Sequence, residues 1–545
     1  MGSRLGSTGR TGLALALAIA VWFVWHHFPS GFIAGTSSYW QSEVDDVTQY
    51  ISGFDAFFSA PFGYPLLAFD SINYPQGTRA TFMDTIPLYA LILKLVVPST
   101  YAPFNPYGVW VGLAFIGQAV GAWWILRELE VKSWLALVAL VVCLLIFPAF
   151  TARVTHISLM THWIILAAIA LYLRGQRIGQ VPVAGWTALL VAGFYINIYL
   201  CVMASAIYVA NWLAKPRNYR WLDLPRALLP FLIIGISLWV TVFPMDSTNV
   251  AKETGFGTFS MNLLAPFSGG KFFPIENAEM PGQYEGFNYL GLGVLLGLLA
   301  GLFLGGRRVL RWAADNWPLV LVMLGLTLYA LSDMIYWGTR QVLVLHYPAF
   351  MEAITTQFRA SGRFFWPVGY ALTIAAIVLL YRRLPKPAFA LAMLVMIVVQ
   401  VADMSIQRHR LIDGARRPVT PVLSQASWDA QIQGDVRYLY FFPKFRCGRS
   451  DLILSTLMPT MRYAVEHGLK INTGYVARAN SNCAVESTQA EIAASDAHHS
   501  LYVFVKGDFP EVSQALALFP ANQQPTCTEV DYAHVCKFDA EKERR

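Results

Sequence analysis

The chain has 545 residues, of which 56% are hydrophobic and 13% charged, with a formal net charge of +7 and a mean hydropathy of +0.47. A soluble globule carries roughly 25% charged residues, so the composition excludes an ordinary soluble enzyme and points to an integral membrane protein. The positive excess sits in short loops such as Lys215–Arg220, Arg307-Arg308 and Arg382-Arg383, where it sets topology and gives no argument for a nucleic-acid partner.

In chain order, the first apolar run, 11–28, follows Arg4 and Arg10 and has no small-x-small cleavage site after it. It reads as an uncleaved first helix with a cytoplasmic N-terminus. Further apolar segments at 108–127, 132–150, 157–174, 183–197, 199–214, 227–244, 288–305, 316–333, 365–382 and 386–404 bring the expected count to eleven. With that count the basic loops fall on the cytoplasmic side and the tail falls outside. The segment 84–98 is apolar but interrupted by Pro87 and Lys94. A crossing there would invert every later loop, so it is expected to lie in the outer interface.

The loop 29–107 carries the first candidate chemistry. Val44, Val47, Ile51, Phe54 and Phe58 recur at helical spacing, which predicts an amphipathic helix on the membrane surface with Asp45, Asp46 and Asp55 off the apolar stripe. Asp45 suits helix capping. Asp46 suits a base that removes a proton from an acceptor hydroxyl, and Asp84 is a further acidic candidate for contact with substrate. Arg153 and His156, three apart at a membrane boundary, either snorkel or serve a site. His162, just beyond them, reads as an interhelical hydrogen-bonder. Glu285 and Tyr289 open a later span, where Glu285 can orient a sugar hydroxyl or simply start a helix.

The run Gln357-Phe-Arg359-Ala-Ser-Gly-Arg363-Phe-Phe-Trp366-Pro367 places arginines on the side where positive charge is normally scarce. Two guanidinium groups four apart can share a helix face and grip phosphate oxygens; the competing reading is interfacial anchoring. No nucleotide-binding glycine loop, zinc-protease helix or nucleophile elbow appears. From 408 the pattern changes to short strands (436–442, 501–505) and helices (452–467, 511–519). The expectation is a transmembrane domain over 1–407, including the 29–107 loop, and an extracytoplasmic α/β domain over 408–545. Its four cysteines suggest disulfides in an oxidising compartment, Cys447 with Cys483 and Cys527 with Cys536.

Together the first helix, the long acidic loop and the loop near Arg153 resemble the GT-C fold of membrane glycosyltransferases. That class holds oligosaccharyltransferase catalytic subunits, protein mannosyltransferases and aminoarabinose transferases. Asp45-Asp46, Ile72-Asn-Tyr74-Pro-Gln-Gly-Thr78, Arg153–His156, Glu285–Gly291 and Arg359–Pro367 look closer still to a bacterial group of multi-spanning proteins placed in that class. The resemblance implies a polyprenyl-phosphate sugar donor, a base at Asp46 or Asp45, and donor-phosphate contacts at Arg359, Arg363, Arg153 and His156. Sugar or acceptor contacts would fall to Glu285, Tyr289, Tyr74 and Asp84. The acceptor would be a glycan, lipid or protein at the periplasmic face of a bacterial inner membrane. The acidic pair that oligosaccharyltransferases carry in their second outer loop is replaced here by Arg153 and His156, so a divalent cation, Mg or Mn, is left open. The rival expectations are a flippase of lipid-linked sugars, with charged residues deep in spans and paired broken helices, and a non-catalytic scaffold for cell-envelope glycan assembly.

Overall fold

A computed structural model of the chain describes residues 6–43, 46–214, 223–244, 255–274, 282–477 and 481–538. Asp45 and the basic loop Lys215–Arg220 lie outside them. The chain divides into two compact units, one of residues 1–34, 106–234 and 252–416, the other of residues 35–105, 235–251 and 417–545.

The first unit is helical. Among the described residues of the chain, six helices are long and apolar enough to cross a membrane: Tyr107–Glu128, Trp134–Thr151, Ile157–Ile178, Leu224–Thr241, Ser361–Arg383 and Lys386–Asp403. A helix also stands at every other segment where the sequence predicts a span. Arg10–His27 has 18 residues, while Val183–Phe194, Ile198–Leu213, Leu292–Gly305 and Trp317–Leu331 are shorter, with 12, 16, 14 and 15. Leu292–Gly305 continues into Arg307–Asp315 through a 94° bend at Gly306, whose φ of 47° glycine adopts without penalty. The helices pack through small residues, as hydrocarbon-embedded bundles do. A Cβ added at Gly117 or Gly121 would come within 2.5 Å of Trp163 or 2.7 Å of Leu166, so these glycines let Tyr107–Glu128 and Trp163–Ile178 approach closely. The chain is therefore read as embedded in a membrane.

The second unit is built on a five-stranded sheet. Two short hairpins precede it in the chain, β1 (Ala68–Phe69) with β2 (Thr78–Arg79) and, in the first unit, β3 (Met334–Trp337) with β4 (Arg340–Val344). The sheet strands are β5 (Tyr438–Phe442), β6 (Lys470–Ile471), β7 (Ser500–Val505), β8 (Thr526–Val530) and β9 (Ala533–Lys537). Their order is β6-β5-β7-β9-β8, with β5 parallel to β6 and β7, and β9 antiparallel to β7 and β8. One face is packed by Tyr440, Phe442, Tyr502, Phe504 and Phe519. Cys527 and Cys536 are cross-strand partners and disulfide-bonded, and a second disulfide joins Cys447 to Cys483.

The loop after the first helix folds with this tail. Its helix Asp46–Ser59 packs on Ile453–Glu466, Ile72 forms a parallel bridge with Ile471, and the Tyr74 amide donates to the Ile471 carbonyl at 2.9 Å. The helix is accordingly not the surface-lying element its apolar stripe predicts. Twelve of its fourteen residues are buried, because its polar side is covered too. Gln49 donates to the Tyr475 carbonyl, Thr48 donates to the Ser42 carbonyl, and Gly53 abuts Met83 and Thr85. Val47, Ile51, Phe54 and Phe58 of the stripe are buried as expected, and Val44 lies outside the described residues. The polar side is covered both by near neighbours such as Ser42 and Met83 and by Tyr475, 426 positions from Gln49.

Candidate functional site

Three segments of the helical unit converge on Glu285. It sits in a 3-10 turn, Gln283–Gly286, just ahead of the Leu292–Gly305 helix. Its carboxylate accepts from Arg153 Nη1 at 2.6 Å and Arg363 Nε at 3.0 Å, and His156 Nε2 stands 3.7 Å away. Arg153 also donates from Nη2 to the Glu285 carbonyl at 2.9 Å. The convergence depends on backbone contact at two glycines. A Cβ on Gly362 would lie 2.5 Å from the Gly286 Cα, and one on Gly286 would lie 2.0 Å from the Ser260 carbonyl oxygen. Asn288 ties both turns by donating to the Gly286 and Gly362 carbonyls at 3.0 and 2.8 Å. The glycines in Glu285-Gly286 and Ser361-Gly362-Arg363 are thus what let these loops meet.

The electrostatics follow from burial. Side-chain exposures are 2% for Arg153, 4% for Glu285 and 13% for Arg363. Burial alone would raise the Glu285 pKa, but the charges of Arg363, Arg153 and His156 outweigh it and hold the carboxyl well below the usual range. Glu285 therefore stays ionised and anchors the cations; it is a poor proton acceptor. Two guanidinium groups against one carboxylate leave the cluster net positive, a suitable setting for an anion.

Arg359 and Arg363 do not share a helix face as the spacing predicts. Arg359 lies in the link between the Glu352–Gln357 helix and the 3-10 turn Ser361–Phe365. The chain turns at this link, and the two guanidinium groups rest on different rings. The Arg359 guanidinium sits over the Phe259 ring at 5.4 Å, and that of Arg363 over the Tyr199 ring at 5.0 Å. Both are cation–π contacts. The Tyr199 hydroxyl also accepts from the Ala360 amide at 3.3 Å. Sequence reasoning missed Tyr199 and Phe259; the signal available for Tyr199 was its place two residues after Asn197, which caps the Ile198–Leu213 helix.

Tyr289 is not a substrate contact. It is fully buried, and its hydroxyl donates to Asp403 at 2.7 Å. Asp403 also accepts from the Leu292 and Phe272 amides, while Gln400 accepts from the Val294 amide. These side chains from the Lys386–Asp403 helix satisfy the first turn of Leu292–Gly305, whose amides have no partner within the helix. Tyr289→Phe should lower thermal stability by about 1–3 kcal/mol, the cost of leaving a buried acceptor short of a donor. Equal unfolding midpoints for Tyr289→Phe and the parent would contradict this placement. His162 likewise serves packing, with Nδ1 2.8 Å from the Tyr370 hydroxyl and its ring 4.2 Å from Trp366.

The remaining candidates belong to the second unit. Asp46 opens the Asp46–Ser59 helix and is half-buried. Asp84 is exposed and left-handed at φ 52°. Tyr74 is taken up by the tail, its ring 5.1 Å from Tyr438 with Lys470 Nζ 5.2 Å above it. Asp55, buried to 7% exposure, is pushed up to about 7 by burial and by Glu466, against the pull of Arg462.

Among the described residues no three His, Cys, Asp or Glu side chains gather to hold a metal ion. Glu285, flanked by two guanidinium groups, does not fit a divalent cation either. Residues 16–405 match a family described as "Domain of unknown function (DUF6311)", and residues 427–538 match "DUF6311 C-terminal domain". No curated protein and no solved structure matches the chain.

Proposed function

We propose that this chain, which belongs to the DUF6311 family, is a membrane glycosyltransferase of GT-C type that takes its sugar from a polyprenyl-phosphate donor. The observation that carries the reading is the net-positive cluster of Arg153 and Arg363 on one buried carboxylate, bordered by Tyr199. A leaving phosphate needs cationic stabilisation more than it needs a proton. Arg363 and Arg359, set over aromatic rings, are the groups that would receive it. The base is assigned by the resemblance alone: Asp46 would take the proton of the acceptor hydroxyl as its oxygen attacks the anomeric carbon. In the same displacement the carbon–oxygen bond to phosphate breaks, polyprenyl phosphate leaves with the electron pair, and the anomeric centre inverts.

The finer topology belongs to the same proposal: eleven spans, a cytoplasmic N-terminus, and a tail in the periplasm of a bacterium with the rest in its inner membrane. Helices at all eleven segments support the count, and two disulfides in the tail suit an oxidising compartment. The flippase reading calls for two broken helices in corresponding positions, and one broken helix, Leu292–Gly305 with Arg307–Asp315, is found among the described residues.

The test is binding of polyprenyl phosphate to the purified full chain. Arg359→Ala and Arg363→Ala should each weaken it about ten-fold or more, the loss expected for a charge-assisted contact. Lys at either position should restore only part, because an ammonium lacks the planar fork. Unchanged binding in both Ala variants would return these arginines to interfacial anchoring.

A further inference from the structure

The second unit carries an apolar surface whose charge placement is the reverse of a water-facing helix. The helix Pro87–Val96 exposes Ile92, Leu95 and Val96 to 48%, 66% and 69%. Its one charged residue, Lys94, is half-buried and bent toward the Asp46–Ser59 helix. Lys94 Nζ donates to the Phe57 and Ala60 carbonyls at 2.5 and 2.7 Å and sits 4.3 Å from the centre of the Phe57 ring. It thereby satisfies carbonyls at the end of the Asp46–Ser59 helix. A helix at an aqueous surface turns its lysine out and its aliphatic side in. Here the aliphatic side is the exposed one.

The surface does not end with that helix. Phe62 and Tyr64 in the following loop are exposed to 52% and 69%. The loop is stitched to the end of Leu224–Thr241, one of the six helices of spanning length. The Tyr64 hydroxyl donates to the Trp239 carbonyl at 2.9 Å, and the Leu66 and Leu67 amides donate to the Val240 and Thr241 carbonyls. Trp239 is itself 67% exposed. The exposed side chains therefore run on from those of a membrane-length helix and share their character. Ten residues rise only about 15 Å, half of a hydrocarbon core of roughly 30 Å, so Pro87–Val96 is too short to cross. Tyrosine and tryptophan beside it are the residues enriched at the headgroup level.

We propose that Pro87–Val96, the Phe62–Tyr64 loop and the end of Leu224–Thr241 form one lipid-facing surface that seats the second unit in the bilayer. The unit that contains the disulfide-bonded tail is then held to the membrane by its own contacts, with the Lys94 ammonium held by the Phe57 and Ala60 carbonyls and covered by the Phe57 and Phe62 rings. This inference is independent of glycosyl transfer.

The test uses the full chain in vesicles of phosphatidylethanolamine and phosphatidylglycerol. An environment-sensitive fluorophore is placed at Leu95→Cys and, separately, at Val96→Cys, with Ala521→Cys in the tail as the reference. Nitroxide on lipid acyl chains should quench the Leu95 and Val96 labels several-fold more than the Ala521 label, while aqueous iodide should favour Ala521. Iodide reaching all three alike would show a water-facing surface and overturn the proposal. Efficient disulfide formation between two copies at Leu95→Cys, with no lipid quenching, would also overturn it, because the face would then be an interface between copies. Two adjacent label sites keep the result readable if one variant fails to fold.

Discussion

Replacing Glu285 by Ala should destabilise the helical unit by about 3–5 kcal/mol, the range for breaking a buried ion pair and stranding its partners. The effect is large because one carboxylate serves two cations. Arg153 at 2% exposure and Arg363 at 13% both rely on it, and Arg153 Nε already has no hydrogen-bond partner among the described residues. Without Glu285 the two guanidinium groups would repel each other in a site water hardly reaches. Glu285→Gln keeps the shape and an acceptor but removes the charge, so it should lie between parent and Ala. The free thiols Cys143 and Cys201, both buried in this unit, provide the readout. A thiol-reactive dye in a thermal ramp should label them at markedly lower temperature in Glu285→Ala. A midpoint within error of the parent would mean the cluster is solvated and contributes little. The double variant Glu285→Ala/Arg153→Met should recover part of the loss, since removing a stranded charge is favourable even when its partner is gone.

Asp46→Asn should lower glycosyl transfer about 100-fold or more, as expected for a lost acid–base group, while the protein still folds. Asn keeps the shape of the half-buried first helical residue, so stability should hardly change. Asp55→Asn gives the contrast. Asp55 is buried in the same helix, and its pKa is raised from 3.8 to about 7. A group that binds its proton more tightly in the folded state adds stability at low pH, and that stability is lost as pH rises from about 4 through 7. Asp55→Asn should therefore flatten this pH dependence and leave the unit more stable than the parent above pH 7. If transfer collapses in Asp55→Asn and survives in Asp46→Asn, the base is Asp55.

Local pattern in the sequence foretold the parts of the fold that are local. The strands β5 and β7 and the hairpin across Cys527 and Cys536 follow from short apolar runs with turns between them, because a hairpin brings together residues close in the chain. The helix Asp46–Ser59 shows where that reasoning stops. Its apolar stripe was visible, but Ile453–Glu466, on which the helix packs, lies hundreds of residues away. The polar Thr48, Gln49, Ser52 and Asp55 gave no sign that they too would be buried. The site behaves in the same way. Arg153, His156, Glu285 and Arg363 each stood out as charges at the ends of apolar segments, a costly placement. That they converge on Glu285 was not legible, since 132 positions separate Glu285 from Arg153 and the glycines that permit contact look like ordinary turn residues. Tyr289 misled because its neighbours suggested a motif. Asp403 and Gln400, polar residues ending an apolar span, were the available hint that its hydroxyl was already committed.

The central claim is transfer of a sugar from polyprenyl phosphate, and the most direct measurement is release of polyprenyl phosphate by the purified full chain in vesicles. The assay would supply a panel of polyprenyl-phosphate sugars, with membrane extract as the source of acceptor. Release should depend on acceptor, fall in Arg363→Ala, and be nearly abolished in Asp46→Asn. Movement of intact polyprenyl-phosphate sugar from one leaflet to the other, with no polyprenyl phosphate released and no effect of Asp46→Asn, would contradict it.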